Sequence, residues 1–269
     1  MKIFITIISA VLFTAPGLSQ TDTAFRFVKT IPAGVSQFAV DHLENLYILT
    51  DRNRLLKLDA KGDSVAVYND VRNLGQVSLI DVSNPLKVLL YYRDFSTIVV
   101  LDRFLNPRNT IDLRRHNLLQ VIAIGQSYDN RIWIYDGLDH KLKKIDDEGK
   151  LLVETTDFRL LLGRAIQPTR IFDEDKFVYL YDPQSAVYVF DYYGTHKNNI
   201  LISGWEHFKV TGKYFYGSKE GNLLRYEIPT FRLDEWRLPR AVQSSRAFDF
   251  SSGKLYALNG DGVEIYSIH

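Results

Sequence analysis

Residues 46–63 read LYILTDRNRLLKLDAKGD: an apolar strand, a polar reversal at Asp51–Asn53, a second strand, then Asp59 and Gly62 in an Asp-x-x-Gly turn. Asp, Asn and Gly at the reversals are hairpin chemistry, because Asp and Asn hydrogen-bond their own backbone and Gly accepts positive φ. Variants of the stretch recur to the C-terminus, so its period carries more information than its local pattern.

The unit that contains it runs SQFAVD (36–41), NLYILTD (45–51), RLLKLD (54–59) and DSVAVYND (63–70). Later units repeat the second strand as KVLLYYRD (87–94), RIWIYD (131–136), FVYLYD (177–182), KYFYGS (213–218) and KLYALN (254–259). Third strands end at Asp59, Asp102, Asp146, Asp191, Glu227 and Ser267, which gives intervals of 43, 44, 45, 36 and 40 residues. A period near forty with short strands in fours predicts an all-β, six-bladed propeller of antiparallel blades. The sixth unit lacks a fourth strand, whereas AFRFVKTI (24–31) has no unit of its own. Pairing that strand with the last one closes the ring and covers two exposed edges.

The second strands are apolar on both sides, as in VLLYY and VYLY, rather than strictly alternating. Central strands sandwiched between neighbouring blades need that pattern, while a two-sheet sandwich leaves one face wet and alternates.

The AVD…NLYILTD…RLLKLDAKGD run, repeated as WIYDGLDHKLKKIDDEG over 133–149, resembles the six-bladed propellers of NHL or PQQ-like repeat type. The resemblance implies a fold and no single activity, since such propellers include enzymes, ligand binders and scaffolds. Units two and five depart from it, with Asp102-Arg103-Phe104-Leu105 and Glu227-Ile228-Pro229-Thr230 where the Asp-x-x-Gly belongs.

Met1-Lys2, the apolar run 3–13 and the small residues through Ser19 have the form of a secretory leader, with cleavage expected between Ser19 and Gln20. Residues 20–269 are then one propeller domain, and the mature chain is expected to have no transmembrane span. It has no cysteine, so neither disulfides nor a lipidated Cys enter the account. About 250 residues form a domain large enough to do without such staples. Loss of Lys2 with the leader leaves 32 basic residues against 32 acidic ones, a balance that argues against a nucleic-acid partner.

The Asp residues at strand ends read as turn caps rather than a calcium ring, since calcium needs several oxygens converging on one point. None of the six His stands in a His-x-His or His-Glu-x-x-His pattern, and no Gly-x-Ser-x-Gly elbow occurs. No metal, cofactor or catalytic residue is assigned. First strands line the channel of a propeller, and aligning them on Asp41, Asp81, Asp173 and Asp249 brings Arg170, His207 and Arg246 to one level on adjacent blades. Gln37, Gln120 and Glu206 fall just before that level. Two arginines and a histidine at a channel mouth suit a small anion. Aromatic and basic residues at Tyr91, Tyr92, Arg93, Phe95, Arg103, Phe104, Trp205 and Trp236 are a second candidate set, for a protein partner.

The expectation is an exported, non-catalytic binding or scaffolding propeller, periplasmic or at the cell surface. The Gln at the expected mature start resembles exported proteins of Bacteroidetes-type bacteria, which implies a protein partner in an outer-membrane assembly of type IX secretion-like kind. A lactonase-like hydrolase at the channel mouth, or a binder of small anions, is the alternative.

Overall fold

In the computed structural model, which describes residues 24–32, 34–69, 74–260 and 262–269, the chain forms six antiparallel sheets of four strands each. The leader expected over residues 1–19 lies outside the described residues. Blade 1 is β2 (Gln37–Val40), β3 (Leu46–Leu49), β4 (Arg54–Leu58) and β5 (Ser64–Asn69). Blade 2 is β6 (Leu79–Asn84), β7 (Lys87–Tyr92), β8 (Thr97–Asp102) and β9 (Pro107–Asp112). Blade 3 is β10 (Val121–Gln126), β11 (Ile132–Asp136), β12 (Lys141–Ile145) and β13 (Leu151–Glu154). Blade 4 is β14 (Arg170–Glu174), β15 (Phe177–Asp182), β16 (Ala186–Asp191) and β17 (His196–Ile200). Blade 5 is β18 (Glu206–Thr211), β19 (Tyr214–Lys219), β20 (Asn222–Glu227) and β21 (Arg232–Arg237).

Blade 6 runs β22 (Ala247–Ser251), β23 (Lys254–Asn259) and β24 (Gly262–Ile268), and β1 (Phe25–Pro32) completes it, with Phe25 opposite Ile268 and Pro32 opposite Gly262. The borrowed strand therefore closes the ring as its sequence predicts. Gly262 permits that junction: its φ is +143°, and a Cβ there would stand 2.1 Å from the Ile31 carbonyl oxygen.

The core lies between blades. Every residue of β7 and of β11 is buried, so each central strand packs on two neighbours. Trp133, Tyr135, Phe158, Tyr188 and Phe190 fill the space between blades 3 and 4. Fourth strands face outward, and Val65 and Val67 on β5 are exposed.

The strand-end aspartates are turn caps. Asp59 Oδ1 accepts from the backbone N–H groups of Lys61, Gly62 and Asp63, and Asp102, Asp146 and Asp191 repeat the pattern at their own turns. Where a later blade lacks Gly, the left-handed position is taken by Leu105 or Phe231, with φ of +60° and +58°.

The innermost strands differ from the sequence reading: β6, β10, β14 and β22 each begin two residues later than their apolar pattern indicates. These strands carry mixed channel-facing residues, so their periodicity is weak. β-bulges after Asp81 and Val121 also insert residues that shift the register.

Candidate functional site

The six innermost strands surround a central cavity of about 560 Å³ that is lined by residues of each of them. Pairing fixes which residues share a level in it. Gln37, Leu79, Ala123, Arg170, Glu206 and Ala247 pair through Leu49, Tyr91, Tyr135, Tyr181, Ser218 and Leu258 to Leu55, Ile98, Leu142, Val187, Leu223 and Val263. Each of those third-strand residues lies four positions before its strand-end residue, so the six first-strand residues form one ring at the channel mouth.

Arg170 and Gln37 line this mouth. Glu206 shares their level but is exposed and outside the cavity wall; His207, the next residue, takes the place in the wall. The cause is a β-bulge, in which Glu206 pairs with Ser218 but Lys209 already pairs with Tyr216, and His207 has φ +53°. A non-glycine residue held there inside a bulge re-aims its side chain at a cost the surrounding sheet must offset. His207 Nδ1 accepts from the Phe248 N–H at 3.4 Å, which places the hydrogen of the neutral ring on Nε2. Burial lowers the His207 pKa, with Glu206 opposing that and the Arg170 guanidinium adding to it.

Arg246 and Gln120 stand apart from the wall. Arg246 precedes β22, is exposed, and donates from Nη2 to the Val35 carbonyl at 3.2 Å. Gln120 precedes β10, and its carbonyl accepts from the Gly137 N–H at 2.7 Å. The alignment on Asp41 explains the offset: Asp41 lies past β2, capping its turn by accepting from Leu43 and Asn45, whereas Asp81 and Asp249 sit inside their strands.

Two residues further along each strand, Ala39, Asp81, Gly125, Phe172, Lys209 and Asp249 form the waist of the channel. Here carboxylates tie blades together. Asp249 Oδ2 accepts from the Val40 N–H at 2.7 Å and Oδ1 from Lys209 Nζ at 2.6 Å, which joins blades 5, 6 and 1. Asp81 Oδ2 accepts from the Gln126 N–H at 2.7 Å across the junction of blades 2 and 3. Beyond the waist, Asp173 Oδ2 accepts from Ser127 Oγ and Trp133 Nε1, and Glu174 Oε1 accepts from the Gly212 N–H. Burial pushes the Glu174 pKa up, opposed by that hydrogen bond. The Asp recurring on first strands is the sequence signal for these groups, and it reads there only as an alignment mark; Gln126 and Lys209 have no such signal.

The second candidate set does not form one surface. Tyr91 and Tyr92 are each 1% exposed, and Trp205 is buried with its amide and carbonyl both bonded to the Tyr181 hydroxyl. These three are inter-blade core rather than partner contacts: aromatic residues in a strand buried on both faces fill the gap between blades. Trp236 is half-buried beneath the Arg225 guanidinium. Phe95 and Arg93 lie in the β7–β8 turn, with Arg93 bonded to the Ile122 carbonyl, while Phe104 and Arg103 lie in the β8–β9 turn. Those turns are at opposite ends of β8, so the exposed members fall on opposite faces of the disc.

No protein-family model matches this sequence, and no curated protein does. Solved structures match along nearly the whole chain. A streptogramin B lyase is similar at 11% identity with a TM-score of 0.61, covering 93% of this chain and 100% of that one. Virginiamycin B lyase from Staphylococcus aureus has 14% identity and a TM-score of 0.58, covering 91% of this chain and 88% of that one. The β-propeller domain of Swd1 from Myceliophteria thermophila has 10% identity and a TM-score of 0.62, covering 91% and 100%. Likeness at this level of identity shows the propeller fold alone.

Proposed function

We propose that this protein is an exported, non-catalytic binding propeller whose central channel receives a small anion at the mouth formed by Arg170 and His207. The observation that carries the reading is the pairing of a guanidinium with a bulge-presented imidazole on the wall of a cavity of about 560 Å³. That volume is within the range of small-molecule sites, and a guanidinium with an imidazole N–H gives an anion directional, charge-assisted hydrogen bonds. The channel carboxylates suit bracing rather than proton transfer, because Asp81 and Asp249 are engaged by backbone N–H groups of the next blade.

The test is isothermal titration with phosphate and with succinate, on the wild type and on Arg170→Ala and His207→Ala. Binding that weakens at least tenfold in Arg170→Ala supports the reading, on the scale of one lost charge-assisted contact of roughly 1.4 kcal/mol or more. Unchanged affinity for both anions in both variants would sink it.

Export rests on the leader-like residues 1–19 and places the protein in the cell envelope, as an accessory member of an outer-membrane assembly of type IX secretion-like kind. Intact-mass analysis of protein recovered from the native envelope is expected to find a chain beginning at Gln20. Recovery of the full-length chain from the cytoplasm would remove this part of the proposal.

A lactonase-like hydrolase is the second reading, favoured by the half-buried Glu174, whose raised pKa suits a general acid. Lactone turnover abolished in Glu174→Gln, together with thermal stabilisation by calcium, would establish it in place of the first.

A further inference from the structure

The two ends of the channel wall differ in charge. Arg170 and His207 line one mouth, with Glu206 at the same level but outside the wall, whereas Asp81, Asp173 and Glu174 lie at the waist and beyond it, with His42 near Glu174. Lys209 is bonded to Asp249, so its ammonium is already engaged by a carboxylate. Along β14, Arg170 and Asp173 are three residues apart, a separation of roughly 10 Å between their Cα atoms.

Among the described residues, the acidic end also holds two buried acceptors with no donor. Gln126 is 4% exposed; its Nε2 donates to the Lys87 carbonyl at 3.0 Å, and its Oε1 accepts nothing. Asp173 Oδ2 accepts from Ser127 Oγ at 2.7 Å, Trp133 Nε1 at 2.8 Å and the Tyr128 N–H at 3.3 Å, while its buried Oδ1 accepts nothing. The two residues occupy the same level of adjacent blades: Gln126 pairs through Ile132 to Ile145, and Asp173 through Val178 to Phe190, each one position before its strand-end Asp. Their strands approach closely because Gly125 has no side chain; a Cβ there would stand 2.4 Å from the Ile171 carbonyl oxygen. Buried acceptors without a donor are rare, and two acceptors cannot satisfy each other. What both lack is a group rich in N–H, and an ammonium carries three such donors.

We propose that the channel takes a zwitterionic ligand end-on, an ω-amino acid or a short peptide-like chain, with its carboxylate at Arg170 and His207 and its ammonium at Asp173 Oδ1 and Gln126 Oε1. The assignment rests on the anion mouth proposed above and adds the opposite end. A zwitterion suits a channel that is internally polarised, because each ligand charge meets an opposite charge. Selectivity follows from length: a chain too short to span the waist leaves the ammonium short of Asp173.

The experiment is titration of the full mature chain with hexanoate, hexylamine, γ-aminobutyrate and ε-aminocaproate, followed by ε-aminocaproate and hexanoate on Asp173→Asn and Gln126→Leu. In the wild type, ε-aminocaproate is expected to bind at least about tenfold tighter than hexanoate, and γ-aminobutyrate more weakly than ε-aminocaproate. In both variants that preference should collapse while hexanoate binding is kept. The wild-type series stands without the variants, should either fail to fold. Equal binding of hexanoate and ε-aminocaproate overturns the two-ended site and leaves the anion mouth standing, with a bridging water as the donor. Binding of neither overturns both, as does hexylamine binding as tightly as ε-aminocaproate.

Discussion

Asp249→Asn tests whether carboxylates at the waist hold the blades together. In the native protein its two oxygens accept from the Val40 N–H at 2.7 Å and Lys209 Nζ at 2.6 Å. An asparagine in the same place keeps one acceptor and turns an NH₂ toward the other donor, so either the Val40 N–H loses its acceptor or the Lys209 ammonium keeps only the Val40 carbonyl, to which it donates at 3.0 Å. Leaving a buried donor unsatisfied costs about 1–3 kcal/mol. The Lys209 and Asp249 side chains are 22% and 16% exposed, so the lost ion pair is partly screened. It adds on the order of 1 kcal/mol at most. For a domain of this size each kcal/mol lowers Tm by about 2–4 °C, so a total of about 1–4 kcal/mol should lower the melting point by roughly 2–16 °C. Thermal and urea unfolding of Asp249→Asn, Lys209→Met and the double variant measure this directly. The double variant should lose less than the sum of the singles, because removing the ammonium relieves the misplaced NH₂. A single-variant loss under about 0.5 kcal/mol, or strict additivity, would refute the bracing role.

Gly125→Ala drives a methyl group to 2.4 Å from the Ile171 carbonyl oxygen, so blades 3 and 4 must separate. Overpacking of this kind costs about 1–3 kcal/mol, and urea unfolding should read that loss. Gly262→Ala meets the Ile31 carbonyl at 2.1 Å with φ +143°, and should open the ring at its closure. Hydrogen exchange is then expected to accelerate in β1 and β24 first; uniform acceleration across blades would contradict a seam at that junction. His207 gives a pH dependence of known sign. Its folded pKa lies below 6.5 because the ring is buried, so the unfolded chain takes up its proton first. That lowers stability as pH falls through the window from about 6.5 to the folded pKa, and stability returns as pH rises. Anion binding favours the charged ring, so affinity should rise as pH falls through the same window, and that rise should vanish in His207→Asn.

The architecture was legible because second and third strands are buried on both faces and end in turns that require Asp and Gly. LYIL, IWIY and VYLY can do little else, and Asp59, Asp102, Asp146 and Asp191 cap the turns they imply. The channel was legible only in part. Arg170, His207 and Gln37 line it, but the bulge that presents His207 in place of Glu206 depends on pairing with Ser218 and Tyr216, which sequence spacing does not encode. Arg246 misses the wall because Asp41 is a turn cap past its strand whereas Asp249 is an inter-blade brace within its own; one residue type serves two purposes at nearly the same offset. Tyr91, Tyr92 and Trp205 resemble interface residues in composition, yet the same aromatics are what two blades need between them.

Whether the channel is a ligand site with a cationic mouth is read most directly from a crystal structure of the protein saturated with ε-aminocaproate. Electron density for the ligand is expected inside the ring of first strands, its carboxylate within hydrogen-bond distance of the Arg170 guanidinium and His207 Nε2. Density on an outer face, or an empty channel at a concentration that saturates binding in solution, would contradict it.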